Sequence, residues 1–227
     1  MVVDCLIYHP TLTKVINFLE SSAHREKSLR LFAYLSRFLS YYCYKKGYPK
    51  ATVDLWNGLK QHLSLIRKAM RFLKPLSHLQ TASKTYDNKL LDPFVQTTSI
   101  LRSLFYAGYL TFDGLILLKM LGIIDKKKYP NMAKNASKFW LLGLAAGILN
   151  SLRIIQCYRN TTADEDEKKQ ANAAKLHQAR RKLVWDLLDA FVAANTLGVL
   201  HFTEGDIGFA GVITSILGLQ DMWRATK

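Results

Sequence analysis

LIRKAMRFLKPL, residues 65–76, packs six large apolar side chains, an alanine and a proline among four cations, with no anion. Three structures suit such a stretch: a core helix with solvated lysines, a helix gripping nucleic acid, or a helix lying on a membrane. The choice decides how the rest of the chain is read. With Trp56 at zero and about 100° per residue, Trp56, Leu59, Leu63, Ile66, Met70 and Leu73 fall within an arc of roughly 100°. Lys60, Arg67, Arg71 and Lys74 crowd the adjoining roughly 60°, with Lys68 nearby. From Leu55 through Tyr86 there is not one Asp or Glu. A solvated helix face usually mixes signs, because opposite charges one turn apart attract and like charges repel. An acid-free cationic flank beside an apolar arc suits the lipid boundary instead. There the arc sinks among acyl chains and the long cations reach phosphates. Leu65 and Phe72 point the other way, toward another helix or a second protomer.

The whole chain supports that choice. Its 227 residues are 49% hydrophobic, yet 32 Lys+Arg against 17 Asp+Glu give a formal charge of +15. An apolar and strongly basic chain points to polyanionic partners, either nucleic acid or an anionic phospholipid membrane. No nucleic-acid-binding signature accompanies the basic residues, so no nucleic-acid partner is expected. Cys5, Cys43 and Cys157 are odd in number and far apart, which fits a reducing compartment. The N-terminus, with Asp4, lacks the pattern of a signal peptide, and the final RATK is not an SKL-type address.

Periodicity predicts helices throughout. Pro10 opens a short one; a second runs from about Arg25 to Lys46 with Leu29, Phe32, Leu35, Leu39 and Tyr42 on one stripe. Gly47 and Pro49 break it, and a third runs from Ala51 to Lys74, where Pro75 ends or kinks it. The stripe then resumes through Leu76, Leu79 and Tyr86. Four hydrophobic segments follow, at 97–124, 139–158, 183–203 and 207–220. The longest uncharged runs, Phe139–Leu152, Ala190–Thr203 and Ile207–Gln220, hold 14 residues each. That is short of the about 20 needed to span a bilayer. Trp140, Trp185 and Trp223 flank the segments as an aromatic belt would. Gly143 and Gly147 form a GxxxG, and Gly208 and Gly211 lie in the last segment, so these four are expected at close helix contacts.

The expected fold class is all-α: a membrane-associated helical bundle with N-terminal amphipathic helices and C-terminal hydrophobic helices. Four stretches follow from the composition. They are an amphipathic region (1–96), hydrophobic helices with a basic connector at 125–138 (97–158), a polar charged linker (159–181), and C-terminal hydrophobic helices (182–227). Candidate membrane-binding residues are Trp56, Leu59, Leu63, Ile66, Met70 and Leu73 with Lys60, Arg67, Lys68, Arg71 and Lys74. The histidines show no metal-ligand spacing, and nucleophile elbows and phosphate loops are absent. Asp186 and Asp189 lie one turn apart and are expected to meet Arg181 or Lys182, or to line a polar seam. No enzyme activity, metal or cofactor is read.

Three longer stretches, YHPTLTKVINFLESSAHREKSLRLFAYLSRFL (8–39), RFLKPLSHLQTASKTYDNK (71–89) and TSILGLQDMWRAT (214–226), resemble the fungal peroxin-eleven family of peroxisomal membrane proteins. The resemblance implies a protein that curves and elongates the peroxisomal membrane by inserting an amphipathic helix, and so promotes proliferation and fission. It further implies a homo-oligomer and a dynamin-type fission machinery as partner. The family's membrane-active helix maps onto Leu63–Leu79, with Arg67, Lys68, Arg71 and Lys74 as its cations. The resemblance places the N-terminal region in the cytosol; the positive-inside bias fits, with 15 Lys/Arg against 6 Asp/Glu in residues 1–96. Some relatives carry cysteine at the third position, where this chain has Val3, with Cys5 instead. An alternative implied role is a pore for small metabolites, its path lined by Arg102, Asp113, Lys119, Arg153, Asp186 and Asp189.

Overall fold

The computed structural model describes residues 9–125, 127–159 and 166–226, which leaves Cys5 and the start of the charged linker outside it. The described residues are helical, without strands: α1 (Pro10–Glu20), α2 (Ser22–Lys45), α3 (Lys50–Met70), α4 (Pro75–Asp87), α5 (Pro93–Met120), α6 (Met132–Arg159), α7 (Asp166–Thr196) and α8 (Glu204–Ala225). They fall into two compact units. One comprises residues 1–70 with 202–227, the other residues 71–201.

Local chemistry sets the helix ends. Gly47 takes φ +72°, the left-handed region open to a residue without Cβ. The Tyr48 amide then donates to Cys43 O at 3.0 Å and the Gly47 amide to Tyr44 O at 3.2 Å. This pair of bonds is the Schellman ending, which satisfies orphan carbonyls of α2. Pro49 follows and α3 begins. Pro75 has no amide hydrogen for the helical ladder, so α3 stops at Met70, four residues before the expected Lys74. Residues 71–74 form a turn closed by the Lys74 amide on Arg71 O at 3.0 Å. The predicted amphipathic stretch is thus two helices joined by a turn, and the boundary between the units falls at its break.

In the first unit α2 packs against both α3 and α8, while α1 touches it more lightly through Phe18, whose ring lies 4.5 Å from His24 and 5.6 Å from Trp223. The buried side of α2 is Glu26, Arg30, Ala33, Ser36, Ser40 and Cys43. Most of the apolar stripe read from the sequence is turned outward: Phe32 is 54% exposed, with Leu35 and Tyr42 also exposed. α8 buries Gly205, Ile207, Gly208, Ala210, Gly211, Thr214, Ser215 and Gly218. The interior of this unit is built largely of small and polar residues, while a stripe of large apolar ones on α2 faces outward. A chain folded against water would reverse that order.

The second unit stacks α4 on α5, α5 on α6 and α6 on α7. Asp92 caps α5, accepting from the Phe94 and Val95 amides at 3.0 and 3.1 Å, and Pro93 fills the first helical position. α5 and α6, 28 residues each, are long and apolar enough to cross a membrane. At 1.5 Å per residue each reaches about 42 Å, beyond the roughly 30 Å hydrocarbon core. The charged residues from 166 to 181, expected as linker, form the first half of the 31-residue α7. The two C-terminal hydrophobic helices part company: α7 lies with α6, and α8 lies with α2.

Candidate functional site

α3 carries the arc first seen in the sequence, and among its residues none is buried. Leu55 is 66% exposed, Leu59 39% and Ile66 46%, while Trp56, Leu63 and Met70 are half-buried. Beyond the break, Leu73, Leu76 and Leu79 are exposed as well. The apolar arc therefore stays open on the surface.

The cations sort differently from the apolar residues. Arg67 Nε donates to Glu26 Oε1 at 2.9 Å, and both side chains are nearly covered. Arg71 Nη2 donates to Asp113 Oδ2 at 2.6 Å, again largely covered, with its guanidinium near the Tyr109 ring. Lys60 Nζ lies 3.9 Å from Glu204. Lys68 is half-buried and Lys74 is exposed. Having no acid of its own, the 55–86 stretch draws carboxylates from other helices: Glu26 from α2, Asp113 from α5 and Glu204 from α8. Sequence reasoning missed these partners because they are distant along the chain. The available signal was that cations on a half-covered helix face need counter-charges from somewhere.

The glycines stand where helices or long side chains approach. A Cβ on Gly208 would lie 2.7 Å from the Phe38 backbone nitrogen, and one on Gly211 would meet the Tyr34 ring. A Cβ on Gly205 would meet the Tyr41 ring in the same way. On α6, Gly143 receives the Tyr106 ring at 2.8 Å. At Gly147 the nearest atoms belong to side chains. The glycine leaves room for the Arg102 guanidinium, which passes from α5 to Asp186 on α7, with Nη2 donating to Oδ1 at 2.8 Å and Nη1 to Oδ2. Asp186 thus lies on a polar seam between helices, paired with Arg102 of α5, while Asp189 accepts from Trp185 Nε1 at 3.2 Å.

The α2–α8 contact is closed by polar rungs. Arg37 makes two 2.7 Å bonds to Glu204, and Arg30 Nη2 donates to Thr214 Oγ1 at 3.0 Å. The Arg37 bond, helped by the charges of Arg37 and Lys60 and opposed by burial, holds Glu204 below its ordinary carboxylate pKa. Thr203 and Asp206 complete a capping box at the start of α8. Among the described residues there is no cluster of His, Cys, Asp and Glu able to hold a metal.

Comparison with known proteins places the chain in a family. The profile described as "Peroxisomal biogenesis factor 11 (PEX11)" matches residues 12–223. The chain is 40% identical over 247 residues to Peroxisomal membrane protein PMP27 of Saccharomyces cerevisiae, covering 100% of both chains. It is 36% identical over 255 residues to PMP30B of Candida boidinii, again over 100% of both. Peroxisomal biogenesis factor 11 of Schizosaccharomyces pombe is 23% identical over 95% of this chain and 96% of its own. No solved structure matches. With a match over nearly its whole length, the chain belongs to the peroxisomal biogenesis factor 11 family of peroxisomal membrane proteins.

Proposed function

We propose that this protein bends and elongates the peroxisomal membrane from its cytosolic face, the apolar arc of α3 entering one leaflet as a wedge. One observation carries the reading: an amphipathic helix of 21 residues, packed against α2, buries none of them and leaves Leu55, Leu59 and Ile66 open. A side chain of this size gains about 1.5–3 kcal/mol on leaving water completely. An apolar arc of this kind settles about 5–10 Å into the headgroup–acyl boundary. Area added to one leaflet alone favours positive curvature. The chain's charge of +15 adds attraction to anionic lipid, about 1 kcal/mol for each cation near the surface.

The internal pairs refine the electrostatic part. Lys74, which is exposed, meets lipid phosphates first, and Arg67 and Arg71 join only if they exchange Glu26 and Asp113 for phosphate. The family resemblance further supports self-association and engagement of a dynamin-type fission machinery as consequences of the curved state. The conduit reading has less support. Arg102, Asp113, Arg153 and Asp186 are ion-paired within the second unit, Asp189 accepts from Trp185, and Lys119 donates to Lys128 O.

The test reconstitutes the full chain into vesicles containing phosphatidylserine and images them by electron microscopy. Wild type is expected to draw tubules. Leu59→Glu with Ile66→Glu is expected to abolish them while membrane association through the hydrophobic helices persists. Undiminished tubules from that double variant would overturn the wedge.

A further inference from the structure

We infer that the membrane-contacting surface of the first unit is a plate of two helices, α2 with α3, whose occupant is the acyl layer of one leaflet. This rests on the proposed wedge and widens it. At about 100° per residue, the residues of α2 divide into three arcs of roughly 80°. Arg30, Tyr34, Phe38 and Tyr41 face α8, as their contacts with Thr214, Gly211, Gly208 and Gly205 show. Ala33, Ser36, Ser40 and Cys43 form a second arc that is buried, and α3 packs on this side. The third arc holds Phe32, Leu35, Leu39 and Tyr42. No polar residue interrupts it; Leu39 is half-buried and the other three are exposed.

α3 returns antiparallel to α2. The turn at Gly47 joins one pair of ends, and the Arg67–Glu26 bond ties the other. In an antiparallel pair the sense of rotation about the two axes is opposed. With Arg67 turned toward α2, and Lys60 toward the Glu204 that Arg37 of α2 also holds, the arc of Trp56, Leu59, Leu63, Ile66 and Met70 emerges on the same side as Phe32, Leu35, Leu39 and Tyr42. Gln61 of α3 emerges on the opposite side and is exposed. Two helices at an ordinary spacing of 8–10 Å make the wedge about twice as wide as α3 alone.

Three features name lipid as the occupant. The charges of α2 that would forbid insertion, Glu26, Arg30 and Arg37, are bonded to Arg67, Thr214 and Glu204 on the other arcs. The unit carries 13 Lys/Arg against 7 Asp/Glu, a balance suited to an anionic leaflet. The α2 stripe and the α3 arc are also both apolar and largely open.

The experiment uses the full chain with its native cysteines replaced by serine, and an environment-sensitive fluorophore on Leu35→Cys, Leu59→Cys or Gln61→Cys. Vesicles contain phosphatidylserine and lipids carrying a quencher on the acyl chain. Quenching at positions 35 and 59 is expected to agree and to exceed that at 61 by at least about threefold, as for residues on opposite sides of an interfacial plate. Quenching at 59 without quenching at 35 would overturn the plate and leave the single-helix wedge standing. Absence at both would overturn the two together. Efficient crosslinking of Leu35→Cys between two copies, with no quenching there, would assign the stripe to a protein interface and likewise overturn the plate.

Discussion

Arg102 reaches Asp186 across the face of α6 at Gly147, so an ion pair between α5 and α7 depends on a residue of the helix between them. Asp186 is 2% exposed, and removing one partner of such a pair costs about 3–5 kcal/mol because the other charge stays buried. Gly147→Ala is therefore expected to lower the thermal midpoint in detergent nearly as far as Asp186→Asn. The double variant should be little worse than either single one. Additive losses in that cycle would show that Gly147 acts through something other than the pair.

Gly208 and Gly58 offer a comparison within one unit. A Cβ at Gly208 meets the Phe38 backbone, which cannot swing aside as a side chain can, whereas one at Gly58 meets nothing within 4 Å. Gly208→Ala should destabilise by about 1–3 kcal/mol through overpacking. Gly58→Ala, on helix propensity alone, should stabilise by up to about 1 kcal/mol. Thermal unfolding of both variants checks the sign of each.

Glu204 gives the first unit an acid limit. Its pKa is lowered in the folded state, so the Arg37 contact contributes in full above the ordinary value of 4.5 and is lost as pH falls through the depressed value. The pair is partly exposed and screened, so its contribution is about 0.2–1 kcal/mol and shrinks with salt. Glu204→Gln should lower stability near neutral pH and flatten the loss between about pH 5 and pH 3. An unchanged acid limb in the variant would assign that limb to other groups.

Glu26→Gln leaves Arg67 without its carboxylate. In neutral detergent the variant is expected to lose about 3–5 kcal/mol. Adding phosphatidylserine should restore more of its thermal midpoint than of wild type's, because lipid phosphate can take the vacated place. Equal restoration would mean that Arg67 does not reach lipid.

Apart from the charged first half of α7, the helices were legible because Gly, Pro and the 3.6-residue period mark them, and each break at Gly47, Pro75 and Pro93 lies where backbone chemistry demands one. The orientation of α2 was not legible. Its stripe through Phe32 and Leu35 is equally good as a water-hidden core or as an outer coat, and periodicity is blind to which side is solvent. The α3 arc could be read further because its missing acids break that symmetry. The pairings of Arg67, Arg71 and Arg102 were closed to sequence, since each joins residues about 40 or more positions apart through helix packing.

The hydroxyl and glycine interior described for α2 and α8 has a bearing on which changes the chain tolerates as it diverges. On the proposed plate, exchanges among Leu, Ile, Val and Phe at positions 32 or 35 disturb only a fluid neighbour that re-forms around any shape. Ser36, Thr214 and Ser215 are sealed against solid neighbours, where one added methylene has no room. Drift should therefore run freely over the greasy exterior and halt at the smallest residues, the reverse of the pattern in a water-filled compartment's proteins.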